Sequence, residues 1–245
     1  MTMRISTPDV TRLGSTWRAK REVTERVPRL ENGDRLTRAE FETRYRAMPN
    51  LNKAELIEGV VHMPSPVHFK QHGKPHNIIN TWLGTYCAST PGVETGDNVT
   101  VRIDAENEVQ PDALLRLSEG GASQITPDDF LSGAPELIVE IASTSAAYDL
   151  HDKKHVYRRN GVREYIVWQI HDARVSWFIL REGEYDELAP DAPGLIRSQV
   201  FPGLWLNVNA LRAGDLAKVL NDLRRGLKSK EHTAFVKRRA RAARR

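Results

Sequence analysis

The chain is nearly free of cysteine: Cys87 is the single thiol among 245 residues. One thiol cannot build a disulfide framework or a thiolate zinc site within the chain, and it fits a reducing compartment. Long apolar runs are missing as well, since nothing approaches the roughly 18 apolar residues needed to cross a bilayer. The opening MTMRISTPDV lacks the apolar core of a secretory signal. A soluble, cytoplasmic protein with no membrane partner is expected, and no internal repeat is found.

A uniform excess of one charge is also lacking. The formal charge of +4 divides unevenly: residues 237–245, KRRARAARR, hold six cations and no anions, residues 1–29 hold seven cations and three anions, and residues 30–236 are left at −6. The basicity therefore belongs to the ends. Lys237, Arg238, Arg239, Arg241, Arg244 and Arg245 form either a solvated end or one that binds nucleic-acid phosphates by counterion release. Three segments are expected: a poorly ordered basic extension over 1–33, a folded domain over 34–230, and a basic tail over 231–245.

Within the domain, Leu36, Phe41, Tyr45 and Met48 give a helical stripe that Thr37 could cap, with Pro49 after its end. AELIEGVVHM reads as strand, Gly59 turn and strand. SPVHFKQHGKP reads as a loop, and Pro75 opens a second helix carrying Ile78, Ile79, Trp82, Leu83 and Tyr86. NVTVRI and VQPDALLRL form a hairpin, and LSEGGASQITPDDFLSGA reads as a loop. PELIVEIA, the helix DLHDKKHVYRRN ended by Gly161, and REYIVWQI then make a βαβ unit with parallel strands. A hairpin around Glu182 and Gly183 follows, and a helix runs from about Gly214 to Leu227.

Glu140 raises the chemical question. It sits among Leu137, Ile138, Val139 and Ile141 in a strand apolar on both faces, where an unpaired carboxylate costs several kcal/mol. On the following helix Leu150, Lys153 and Tyr157 share one face, so Lys153 is directed inward and a plain salt bridge to Glu140 is the simplest solution. Asp112, which otherwise reads as an ordinary strand-start residue, stands after Pro111 on the hairpin expected beside the Glu140 strand. Two carboxylates converging at about 4 Å would repel by about 4 kcal/mol at an effective dielectric of 20. A divalent cation reverses that sign, and oxygen ligands suit Mg2+, with Mn2+ as substitute. Such an ion with a nearby lysine performs phosphodiester hydrolysis.

The order VQPDALL, PELIVEIAS, DLHDKKHVYRRNGVREYIVW, together with LIEGVVHMPSP and the KxxxYRRNGVREY spacing, resembles the PD-(D/E)XK nuclease superfamily and, within it, the restriction-endonuclease group called Uma-two, over about residues 36–210. The resemblance implies an α/β (α+β) fold with a restriction-endonuclease-like core, a central mixed β-sheet flanked by helices. It implies a metal-dependent endonuclease acting on DNA. Pro111 and Asp112 match the PD element, Glu140 the acidic position of the second element, and the carbonyl of Ile141 a further metal ligand. Ala142 stands where the usual lysine should be, and Lys153 matches the relocated helical lysine of the group, with Lys154 turned to a different face. Glu58 matches the additional upstream acid, with Glu55 as competitor, and a strand-end role for Glu58 stays open.

Other readings compete. His68, His72 and His76 recur every fourth residue, as zinc ligands on a helix would, but Gly73 and Pro75 are expected to interrupt it, leaving loop histidines that shape a cleft. Trp82, Trp168, Trp177 and Trp205 are expected as apolar filling rather than base-stacking platforms. A non-catalytic nucleic-acid-binding or partner-binding protein that kept the fold is the alternative to catalysis. Cutting two strands in concert calls for two sites, so a homodimer is expected from the reaction.

Overall fold

The computed structural model describes residues 27–63, 67–143, 148–192 and 194–242. The first helix, α1 (Arg38–Arg46), begins on Thr37, whose side chain accepts from the Glu40 N–H while the Glu40 carboxylate receives the Thr37 N–H. That reciprocal box satisfies two donors the first turn would leave unpaired. Fourteen strands then follow among the described residues: β1 (Glu55–Ile57), β2 (Val60–His62), β3 (Val93–Asp97), β4 (Val101–Arg102), β5 (Glu108–Val109), β6 (Ala113–Leu117), β7 (Gln124–Ile125), β8 (Leu131–Ser132), β9 (Leu137–Ala142), β10 (Glu164–Gln169), β11 (Arg174–Arg181), β12 (Glu184–Glu187), β13 (Leu195–Arg197) and β14 (Trp205–Asn207). The remaining helices are α2 (Lys74–Ala88), α3 (Lys154–Arg159), α4 (Val208–Ala213), α5 (Leu216–Leu227) and α6 (Lys230–Ala242).

The strands form two mixed sheets and one small ribbon. The central sheet runs β12-β11-β10-β9-β6-β3, and its β9–β10 pair is parallel, as a βαβ unit demands. A second sheet of short strands runs β2-β1-β5-β4-β8-β7. Alternation along β9 sends Leu137, Val139 and Ile141 to a core beneath α2 and α5, and Ile138 and Ala142 to a core shared with Val156 and Tyr157 of α3. Glu140 has the parity of Ile138 and Ala142, so it faces α3.

The expected fold class holds, and the local readings need corrections. The NVTVRI hairpin closes on β5, and the chain then crosses through residues 110–112 into the other sheet, where β6 pairs with β3 and β9. The segment read as a loop after β6 contains β7 and β8, and buried Glu136 pins it by accepting the N–H groups of Leu117 and Ala122. Gly73 and Pro75 do not interrupt a helix. A π-helical turn over Phe69–Gly73 feeds straight into α2, with Gly73 in helical conformation and Pro75 as the second residue of α2.

Residues 1–26 of the expected basic extension lie outside the described residues, as do Arg244 and Arg245. Residues 27–33 carry buried Leu30 and a Gly33 N–H bonded to the Val61 carbonyl. The basic stretch Lys237, Arg238, Arg239 and Arg241 lies on α6, which buries Phe235 and His232 and anchors Arg239 on the carbonyls of Gly92 and Glu119. Trp82, Trp168 and Trp177 fill the core, while Trp205 is half-buried beneath the Arg197 guanidinium. Among the described residues, no helix is long and apolar enough to cross a membrane.

Candidate active site

Residues 110–112 are where the chain passes from one sheet to the other, and the acidic residues gather at that seam. The Gln110 N–H donates to Glu55 Oε1 at 2.7 Å, which fixes β1 against the crossing. Two residues on, Asp112 Oδ2 accepts the Ile141 N–H at 2.7 Å, which sets this carboxylate beside the C-terminal half of β9. From the other face, α3 and the π-helical turn Asp149–Lys153 before it bring Lys153 and Tyr157 down onto Glu140.

Lys153 Nζ lies 3.0 Å from Glu140 Oε1, 3.0 Å from Glu55 Oε1 and 3.8 Å from Asp149 Oδ1. The Tyr157 hydroxyl donates to the same Glu140 oxygen at 2.9 Å. Asp112 Oδ1 contacts His72 Nε2 at 3.1 Å, with Lys53 Nζ at 3.9 Å. His76 Nε2 reaches the Asp112 carbonyl at 2.7 Å and Asp97 at 3.0 Å. Glu55, Asp112, Glu140, Asp149 and Lys153 are all buried.

Three carboxylates around one buried ammonium, with Asp112 beside them, leave the pocket acidic, and the proton affinities follow. Burial raises Glu140 to about 8, and although Lys153 lowers it, the charges of Asp112, Asp149 and Glu55 push the same way as burial. For Lys153 burial would lower the value, but Glu140, Glu55 and Asp149 outweigh it and hold the ammonium well above the ordinary lysine range. Burial would likewise raise Asp112, yet the His72 hydrogen bond and Lys53 draw it below the usual carboxylate value. The pocket thus holds one proton-hungry acid beside one that stays ionised.

The structure brings Asp112, Glu140 and Lys153 to one pocket, and of the two upstream acids it is Glu55 that reaches Lys153. Glu58 sits in the turn after β1 with φ of 53°, is exposed, and pairs with Arg159 at 2.6 Å, away from the pocket. Lys154 does turn elsewhere, onto the Phe178 ring at 3.7 Å. Ile141 contributes its N–H to Asp112. The cations of α6 are remote: Gly92 and Glu119, which hold Arg239, lie at the far ends of β3 and β6 from Asp97 and Asp112. His68 is exposed.

Several groups escaped the sequence reading. Asp149 stands four residues before Lys153, on the same helical face, and its carboxylate reaches the ammonium at 3.8 Å. His62 pairs in register with Glu55 across β1 and β2 and stacks on Tyr148 at 4.4 Å, with the Lys153 ammonium 5.9 Å from the Tyr148 ring. The Tyr148 hydroxyl is buried with no hydrogen-bond partner among the described residues.

Among the described residues, no group of three or more His, Cys, Asp or Glu is arranged to hold a metal ion. In donor chemistry the pocket still fits a hard dication, because it offers carboxylate oxygens, an excess of negative charge and no thiolate. Two carboxylates are a sufficient protein contribution to magnesium, which keeps waters and takes substrate oxygens for the rest.

Compared with known proteins, residues 38–209 match the model of a family, Uma2, described as "Putative restriction endonuclease". Among solved structures the chain is similar to the crystal structure of a putative nuclease belonging to DUF820 from Anabaena variabilis, with a TM-score of 0.53 at 12% identity, covering 70% of this chain and 97% of that one. At that identity the likeness speaks for the fold alone. No curated protein matches.

Proposed function

The chain belongs to the Uma2 family, and from that premise we propose that it is a metal-dependent endonuclease that hydrolyses phosphodiester bonds in DNA, with water as nucleophile and no covalent intermediate. One observation carries the reading: Asp112, Glu140 and Lys153, distant in sequence, meet with Glu55 at the seam of the two sheets. Asp112 and Glu140 are the side chains that would hold Mg2+, or Mn2+ in its place, with the Ile141 carbonyl as main-chain ligand. Such an ion supplies positive charge to a phosphate and lowers the pKa of a bound water.

The chain's own groups do the remaining work. Lys153 and Tyr157 orient Glu140, while the Ile141 N–H and His72 orient Asp112. The Lys153 ammonium, kept protonated by three carboxylates, offers charge to the phosphate oxygens as negative charge builds on them in the transition state. Glu55 replaces Glu58 as the upstream acid and shares the ammonium with Glu140. Lys237, Arg238 and Arg241 on α6 hold DNA phosphates far from the reacting bond, and a homodimer supplies the second site for cutting both strands.

A second reading, a non-catalytic nucleic-acid-binding or partner-binding protein on the same fold, is favoured by Lys153 already satisfying Glu140 directly. Plasmid DNA separates the two. Purified protein should nick or cut it when Mg2+ or Mn2+ is added, and EDTA, Glu140→Ala or Lys153→Ala should remove the activity while the melting curve stays cooperative. Cleavage that survives in both variants rejects the site, and metal-independent binding without cleavage favours the second reading.

A further inference from the structure

A cavity of about 190 Å³ opens at the C-terminal end of β10, on the face of the central sheet opposite Glu140. Lys70, Lys74 and Arg212 line it, together with Trp168, Ile170 and Gly214, and no carboxylate does. This is unusual for a chain whose residues 30–236 are formally at −6. Most other cations near the folded core are spoken for: Arg38, Arg102, Arg116, Lys153, Arg158 and Arg159 all sit on carboxylates. Lys70, Lys74 and Arg212 form no ion pair among the described residues, and all three are exposed.

The cavity also lies in line with the acidic pocket. Lys70 and Lys74 bracket His72, whose ring touches Asp112, so one helical segment serves both places. On the sheet side the Ile170 N–H donates to the Ala142 carbonyl at 3.0 Å, two residues beyond Glu140. With a rise of about 3.3 Å per strand residue and about 4.8 Å between strands, the backbones of Glu140 and Ile170 are roughly 11 Å apart within the sheet, a few nucleotide steps at about 3.4 Å each, and the two places open on its opposite faces. A ligand crossing the ends of β9 and β10 would meet both.

We infer that this cavity is a phosphate-binding subsite for the DNA backbone flanking the cleaved bond, with Lys70, Lys74 and Arg212 as its three phosphate contacts. The inference rests on the nucleic-acid substrate proposed above. Phosphate contacts of this kind position the duplex and carry no base information, so they set affinity and salt dependence rather than sequence choice. The apolar floor of Trp168 and Ile170 lowers the local dielectric, which strengthens the three charges on an anion.

The test is a labelled 30-base-pair duplex titrated with the full chain over a range of salt concentrations, without divalent ion, using wild type, Glu140→Ala and the triple variant Lys70→Gln/Lys74→Gln/Arg212→Gln. The triple variant should flatten the slope of log K against log salt by about 2 to 3, at about 0.9 per lost phosphate contact. Its KM for cleavage should rise about tenfold with kcat within a factor of about two, and its melting temperature should hold because the three side chains are exposed. Glu140→Ala should lose cleavage and keep the wild-type slope.

An unchanged slope in the triple variant overturns the subsite. A parallel melting series with inorganic phosphate identifies a small-anion site instead, and overturns the DNA assignment, if phosphate stabilises wild type and not the variant while the DNA slopes agree. Should wild type bind DNA with a variant-sensitive slope yet never cut, the endonuclease reading falls and the subsite stands. No DNA binding by wild type removes both.

Discussion

Glu140 and Glu164 stand on neighbouring parallel strands, at 3% and 0% exposure, and face opposite sides of the sheet. Glu164 meets neutral donors only: the Ser198 hydroxyl at 2.7 Å and the N–H groups of Gln199 and Val200 at 2.7 and 3.2 Å. Burial raises it to about 6 against those bonds. Glu140 meets one ammonium, one phenol and the fields of three other carboxylates, and stands at about 8. Burial of a carboxylate therefore does not mark a site. Glu164, like Glu136, ties a loop to a strand by collecting donors the backbone would leave unpaired, whereas the Glu140 pocket gathers more negative charge than its single buried cation balances.

The largest test of that contrast removes the cation. Lys153→Met leaves Glu140, Glu55 and Asp149 facing one another, and urea unfolding at pH 8 should show a loss of about 3 to 5 kcal/mol. Glu164→Gln keeps acceptors for its main-chain donors and should cost about 1 kcal/mol. Equal losses would collapse the distinction.

A pH series sharpens it. Both carboxyls hold their proton more tightly folded than at the ordinary 4.5, so each contributes stability that is complete below about pH 4.5 and gone once the pH has passed its folded value. Wild-type stability should decline across pH 4.5 to about 8, and Glu140→Gln should flatten the decline up to about 8, Glu164→Gln only up to about 6. Mg2+ should restore the wild-type melting temperature at pH 8 and leave that of Glu140→Gln unmoved. A metal response that persists in the variant places the ion elsewhere.

The smallest expected effect is at Glu58, the outer of the two upstream acids. Glu58→Gln breaks a surface pair with Arg159, so stability should stay within about 0.5 kcal/mol and cleavage within about twofold of wild type. Glu55→Gln should slow cleavage by about 10²-fold. The reverse ranking returns the position to Glu58.

The sequence made much of this legible. The apolar run around Glu140 announced its burial, the 150/153/157 spacing put Lys153 on the inward face, and Pro111-Asp112 marked a strand start. Other parts resisted for identifiable reasons. β3 reads VETGD and has one buried residue, so it carries no apolar alternation. Asp149 stands four residues before Lys153 and shares its face, but a polar residue at a helix start carries no signal of its own burial. His72 contacts Asp112 across 40 residues, and the helical path that delivers it runs through a glycine and a proline that read as breakers.

What the sequence determined by itself is the chemistry available and its local presentation, because helix and strand periods fix which side of an element a residue takes. Which of Glu55 and Glu58 reaches Lys153 belonged to the tertiary structure. All three residues of β1 are buried, so alternation could not say which side faced the pocket. That was decided when the 110–112 crossing laid one sheet's edge against the other, turned Glu55 onto the Gln110 N–H and Lys153, and left Glu58 in a solvent-facing turn.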